Sequence, residues 1–194
     1  MGDRPMSGIV RQLPLCVSLV MSPDEILAFV RARKVNELLE LHGAILEVLR
    51  ERNIVRSSNA PVGDYAEYLF AKAFGWELVG NSQKGYDAKD ATNGQSYQIK
   101  SRRITAHNAS RQLSALRRLP DKSFDFLAGV LFNADYSVYR AVILPHSVIE
   151  PCCRVSKHIN GWLFMLEDAV WKMPEARDVT PQLKSAAAAL GAAA

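Results

Sequence analysis

Between residues 22 and 52, the apolar positions Ile26, Leu27, Val30, Leu38, Leu41, Ile45 and Leu49 recur at helical spacing. Ser22-Pro23-Asp24-Glu25 supplies the start: an N-cap residue, Pro at the first helical position, acids at the positive end of the dipole and a capping-box Glu three residues on. The pattern predicts a helical arm over 22–55, with Gly43 as its break or kink. A helix of roughly 30 residues would extend about 45 Å, longer than the body of such a domain. Part of the arm is therefore expected either to pack against a second copy as a homodimer contact or to fold back on its own domain as a helix pair. Residues 56–61 read as a polar linker, and the core domain is placed after them, over 62–180.

Within that domain, Ala66, Leu69, Phe70, Ala73 and Phe74 form one stripe at i, i+3, i+4, i+7 and i+8, predicting a helix over 62–74 that Gly75 ends. Strand-like patches follow at 76–79, 86–91 and 96–101, then a polar helix over 110–118, then strands at 124–132 and 137–144 joined by a hairpin at Asp135-Tyr136. This order makes an α/β fold, a mixed sheet flanked by helices, with an N-terminal helical arm. The alanine-rich end, 185–194, is expected to fray, and no internal repeat is present.

Composition adds a partner. The net charge is +4, and between Lys100 and Lys122 the cations Arg102, Arg103, Arg111, Arg117 and Arg118 are opposed by Asp121 alone, a local field suited to an anionic polymer. Three cysteines, Cys16, Cys152 and Cys153, make no disulfide framework and point to the cytoplasm; Cys152, Cys153 and His158 match no standard zinc spacing. No apolar run reaches the roughly 18 residues that would span a bilayer, so no membrane partner is expected. The segment 13–21 has Pro14 inside a short apolar run and lacks a clear cleavage site, so residues 1–21 read as a poorly structured or mis-assigned start, with translation beginning at Met21. No Gly-rich phosphate loop, Gly-x-Ser-x-Gly elbow or zinc-protease helix occurs. His107 and His146 stand alone in loop-like settings, and Trp76, Trp162 and Trp171 read as packing residues.

The chemistry gathers in residues 85–100. Asn93-Gly94 between two alternating runs signals a two-residue hairpin turn. With that turn, Thr92 faces Gln95, Lys89 pairs with Gln98, and Asp87 pairs with Lys100. Gln98 and Lys100 share a face with these partners, whereas Tyr97 and Ile99 face the core. Glu67, at the border of the apolar stripe, is the helix acid best placed to look over the sheet; Asp64 is more exposed. An acid, an amide oxygen and an ammonium meeting beside a further carboxylate suit Mg2+ and phosphodiester hydrolysis.

Helix acid, Gly85-Tyr86-Asp87, hairpin and Gln98-Ile99-Lys100 together resemble the signature of the PD-(D/E)XK nuclease superfamily. The stretches from Gly63-Asp64-Tyr65-Ala66-Glu67-Tyr68 to Ser101-Arg102-Arg103, and on to Asp178-Val179-Thr180, are also similar to a further family of restriction-endonuclease-like domains. The resemblance spans about 62–180 and implies a restriction-endonuclease-like fold cleaving DNA, most naturally duplex. It assigns Glu67, Asp87, Gln98 and Lys100 as catalytic, with Glu67, Asp87 and Gln98 holding Mg2+ or Mn2+. The superfamily usually carries Glu or Asp where this chain has Gln98; methylated-DNA restriction enzymes of the Mrr type are similar in using Gln. The alternative is a non-catalytic nucleic-acid-binding module on the same fold. Lys84, Arg102, Arg103, Arg111 and Gln112 are the expected nucleic-acid contacts, Arg111 from the start of the helix after the strands.

Overall fold

A computed structural model describes residues 21–57, 59–80 and 85–191. The expectations for residues 1–20 and for Lys84 lie outside the described residues. The chain divides into two compact units, the described residues up to Ala44 and those from Ile45 onward.

In the first unit, α1 (Pro23–Arg31) starts on the expected capping box: Ser22 Oγ accepts Glu25 N at 3.3 Å, and Glu25 Oε2 accepts Ser22 N at 2.7 Å. The helix breaks at residues 32–34 rather than at Gly43, which lies inside α2 (Val35–Glu51), a helix whose residues from Ile45 onward are counted with the second unit. Glu37 Oε2 accepts Lys34 N at 2.7 Å and so caps the second start. That cap lacks the usual Ser, Thr, Asp or Asn at the N-cap, which is why the break is hard to read in the sequence. Neither α1 nor α2 buries a residue, and Ile26, Leu27, Val35 and Leu39 are exposed. Among the described residues no helix is long and apolar enough to cross a membrane.

The second unit is a mixed α/β domain. Helix α3 (Val62–Phe74) has the predicted bounds, and Gly75 closes it at φ 70°, a left-handed geometry that glycine adopts without steric cost. The strands are β1 (Glu77–Leu78), β2 (Ala88–Lys89), β3 (Ser96–Arg103), β4 (Phe126–Phe132) and β5 (Val138–Pro145). After α4 (His146–Ile149) come β6 (Arg154–Ser156), β7 (Gly161–Leu163), β8 (Arg177–Asp178) and α5 (Thr180–Gly191). The six-stranded sheet runs β1-β2-β3-β4-β5-β8, with only the β3–β4 pair parallel; β6 and β7 form a separate ribbon. The β4–β5 turn falls where expected, with Asn133 N donating to Ser137 O at 2.9 Å and Tyr136 at φ 66°.

Alternation along the central strands builds two cores. Tyr97, Ile99, Ala128, Val130, Ala141 and Ile143 meet the apolar stripes of α3 and α5. Trp76 belongs to this core and stacks on Tyr97 with ring centroids 3.7 Å apart. Leu127, Leu131, Val142 and Leu144 face the other way, under Leu113, Leu116, Leu119, Phe164 and Leu166.

Two further expectations are corrected. Residues 110–118 are not a helix but an extended crossover: Leu113 N donates to Phe164 O at 3.0 Å, Leu116 and Trp162 exchange both backbone bonds at 2.8 Å, and Leu166 N donates to Arg111 O at 3.1 Å. Leu113 and Leu116 are both buried, which mimics helical spacing, but pairing with residues 162–166 outweighs the local preference. The alanine-rich end does not fray as far as Gly191, because Leu183 is buried and Ala186, Ala187 and Leu190 pack on the first core.

Candidate active site

The hairpin between β2 and β3 is longer than the two-residue turn expected from Asn93-Gly94. Asp90 N donates to Gln95 O at 2.9 Å and Gly94 N to Asp90 O at 2.8 Å, closing a loop around residues 91–94. The Asp90 carboxylate organises it, accepting Thr92 N at 2.8 Å, Thr92 Oγ1 at 2.6 Å and Asn93 Nδ2 at 3.0 Å. The register is Ala88↔Tyr97 and Lys89↔Ser96, so Asp87 is not opposite Lys100. The slip amounts to two residues, which leaves every side chain on its expected face.

Beyond Ala88 the ladder opens, and the Asp87 side chain takes the place of a backbone acceptor. Its N–H bonds Tyr97 O at 2.8 Å, while Oδ2 accepts Ile99 N at 2.7 Å and also the Gln98 side-chain amide. Lys100 Nζ lies 3.6 Å from the same oxygen, with both side chains mostly buried. Gln98 and Lys100 alternate with buried Tyr97 and Ile99, so the three polar groups meet on one face.

Glu67 completes the group from α3. It lines with Asp87 a cleft of about 270 Å³ whose other walls include Arg56, Ser57, Asp64, Val79 and Tyr86. Burial raises the Glu67 pKa above the ordinary glutamate value, the negative charge of Asp87 adds to the rise, and Arg56 opposes it. Arg56 Nη2 is ion-paired with Glu67 Oε2, and Nη1 donates to Val79 O at 2.8 Å. Asp64, expected to be the more exposed acid, instead fastens the linker: its Oδ2 accepts Arg56 N and Ser57 N at 2.8 Å and Ser57 Oγ at 2.9 Å. Arg56 was hidden in the sequence as one cation of a polar linker; the signal for it is a cation just ahead of a helix whose first acids, Asp64 and Glu67, are spaced three apart.

The donor set fits a hard divalent cation. Among the described residues, Asp87 Oδ1, Glu67 Oε1 and the Gln98 amide oxygen accept no hydrogen bond. Two carboxylates and an amide, with water making up the rest, is an oxygen set of the kind Mg2+ or Mn2+ takes. Among the described residues no three Asp, Glu, His or Cys side chains are grouped so as to hold a metal ion, so a cation here would draw on two carboxylates, the amide and water.

The nucleic-acid contacts expected from the sequence do not form one strip. Arg102 shares the Lys100 face and reaches Ser110 O at 3.3 Å, touching the segment that carries Arg111 and Gln112. Arg103 points the other way, donating to Ala134 O at 2.8 Å from Nε and stacking over the Tyr136 ring at 4.3 Å. Arg111 does not open a helix; it pairs with Asp168 at 2.8 Å and bonds the Tyr139 hydroxyl. Gln112 lines a different cavity, of about 460 Å³, with Arg154, Phe164 and Met165. His146 is buried with Nε2 2.7 Å from Leu119 O, and burial pushes the Cys153 thiol up to about 12, a poor state for holding zinc.

No family model matches the chain, and no curated protein is significantly similar to it.

Proposed function

We propose that the chain is a metal-dependent endonuclease of the restriction-endonuclease-like fold, hydrolysing phosphodiester bonds of duplex DNA in the cytoplasm, in restriction, defence or repair. The observation that carries this reading is that Gln98 and Lys100 both meet the Asp87 carboxylate, which itself lines a cleft with Glu67. Glu67, Asp87 and Gln98 would hold Mg2+ or Mn2+, which when bound supplies Lewis acidity at the phosphate and acidifies a water. Lys100, held as an ammonium beside Asp87, orients the attacking water, and its charge offsets that of the scissile phosphate. Arg102 on the same face provides a backbone phosphate contact, with Arg111 and Gln112 beyond it.

The test is incubation of purified protein with supercoiled plasmid, modified and unmodified, with Mg2+, with Mn2+ and with chelator. Metal-dependent conversion to nicked or linear forms is the expected result; no conversion of either plasmid with either ion would refute it. One observation favours the second reading, a binding module without catalysis: both acids assigned to the ion already have a cation on them, Arg56 on Glu67 and Lys100 on Asp87. That module would retain DNA in a salt-dependent way and leave it uncut. The exposed apolar positions of α1 and α2 support a second copy of the chain as a further partner.

A further inference from the structure

Arg56 lies where the linker meets the cleft, and three features of its placement point beyond a static ion pair. Its side chain and its backbone are held by different groups: the guanidinium by Glu67 and Val79 O, the backbone by Asp64 Oδ2, which accepts Arg56 N and the neighbouring Ser57 N, next to buried Val55. The side chain can therefore swing without the linker coming away. Its Nε is buried and, among the described residues, has no hydrogen-bond partner, so the guanidinium fork is incompletely used. A phosphodiester offers two acceptor oxygens in the geometry that satisfies Nε and an Nη together. Finally, the carboxylate that Arg56 occupies is one that a divalent cation would share, and two positive groups against one carboxylate repel.

We infer that Arg56 is a displaceable latch: its guanidinium competes with a divalent cation for Glu67, and once displaced it is kept at the rim to take a phosphate of the DNA backbone. The inference rests on the nuclease reading. It makes cation and DNA binding cooperative through one side chain, because the ion frees the guanidinium that the phosphate then uses. The Val79 carbonyl that Arg56 would release belongs to the residue whose N–H bonds Asp87 O at 3.1 Å, so the exchange is felt on both acid-bearing segments.

The test uses the full chain with Ca2+ as the probe ion, in wild type, Arg56→Gln and Asp87→Asn, by isothermal titration and by fluorescence anisotropy of a labelled duplex. Arg56→Gln should bind Ca2+ on the order of tenfold tighter than wild type, and bind the duplex in Ca2+ more weakly by a similar factor. In wild type, the Arg56 Nε–Hε resonance should shift as Ca2+ is added, a readout that stands even if the Gln variant does not fold. Wild-type Ca2+ binding that Asp87→Asn abolishes, but that Arg56→Gln leaves equal or weaker, overturns the latch alone. So does an Arg56 resonance that Ca2+ leaves unmoved while Asp87-dependent binding occurs. Absence of any Asp87-dependent Ca2+ binding overturns the nuclease reading and the latch with it.

Discussion

Lys100 reaches Asp87 across a ladder that does not pair them: Nζ stands 3.6 Å from Oδ2, although regular pairing ends at Ala88↔Tyr97. The contact is made by a carboxylate that turns along β3, bonding Ile99 N on the way, so the ammonium is held beside an acid already fixed to the backbone. Lys100→Ala and Asp87→Ala should each reduce plasmid nicking by about 10²-fold or more, the usual scale for removing a group that stabilises charge at the reacting atoms. Only Asp87→Ala also frees a backbone N–H, so its melting temperature should fall further than that of Lys100→Ala. Cleavage at the wild-type rate in either variant removes that residue from the chemistry.

Gln98 bonds the Asp87 carboxylate through its amide. Gln98→Glu exchanges that donor for a second negative charge. In chelator the variant should be less stable by about 1–3 kcal/mol, a fall of about 2–4 °C in melting temperature for each kcal/mol. In Mg2+ the second carboxylate becomes a ligand, and the ion should raise the melting temperature more than it does in wild type. Equal Mg2+-induced shifts in the two proteins would place Gln98 outside the ion's reach.

Period and punctuation carried most of the architecture. The stripe from Ala66 to Phe74 with Gly75 behind it gave α3 its bounds, and alternation along 96–101 put Gln98 and Lys100 opposite Tyr97 and Ile99. Asn93-Gly94 favoured a two-residue turn, but the Asp90 carboxylate bonds Thr92 and Asn93 and pulls the loop into a wider form. The site survived this slip because side-chain direction repeats every two residues. Crossover 110–118 was illegible for a different reason: its partner strand lies some fifty residues away, at 162–166, and no local period reports such pairing. Arg56 was missed because its role depends on the spatial approach of a linker to Glu67.

Neighbours on β3, Arg102 and Arg103 should behave oppositely. Arg102 shares the Lys100 face, and Arg102→Ala should weaken duplex binding and reduce the slope of log affinity against log salt by about one, with little change in stability. Arg103 holds Ala134 O and lies over Tyr136, so Arg103→Ala should cost about 1–3 kcal/mol of stability and leave the salt slope unchanged. Anisotropy titrations over a salt series, paired with urea melts, distinguish the two; a slope that falls for Arg103→Ala reverses the assignment of faces.

Glu67 makes stability depend on pH in an unusual direction. Burial raises its pKa in the folded protein, so between the ordinary glutamate value and that raised value the folded state holds the extra proton. The Glu67 contribution should therefore decline as pH rises through this window and level off above it, opposite to a carboxylate stabilised by its ion pair. Urea unfolding of wild type and Glu67→Gln across the acid range isolates the term by difference. A difference that grows in favour of wild type with rising pH would mean that Arg56 outweighs burial at this carboxylate.

The arm poses a packing question that oligomeric state answers. Helical stability in proteins comes mainly from burying an apolar face, yet α1 and α2 bury no residue, and Ile26, Leu27, Val35 and Leu39 are between 45% and 75% exposed. One exposed leucine is ordinary, but two successive amphipathic helices without a buried position have no core of their own. A second copy would supply one, its like face being self-complementary under two-fold symmetry. Wild type should sediment as a dimer that dissociates on dilution, and the pair Leu27→Asp with Leu39→Asp should sediment as a monomer with reduced helical signal. Without a partner copy, two charges added at exposed helix positions would change stability by only about 0.5 kcal/mol each. A wild type that stays monomeric at all concentrations with its full helical signal would refute the dimer.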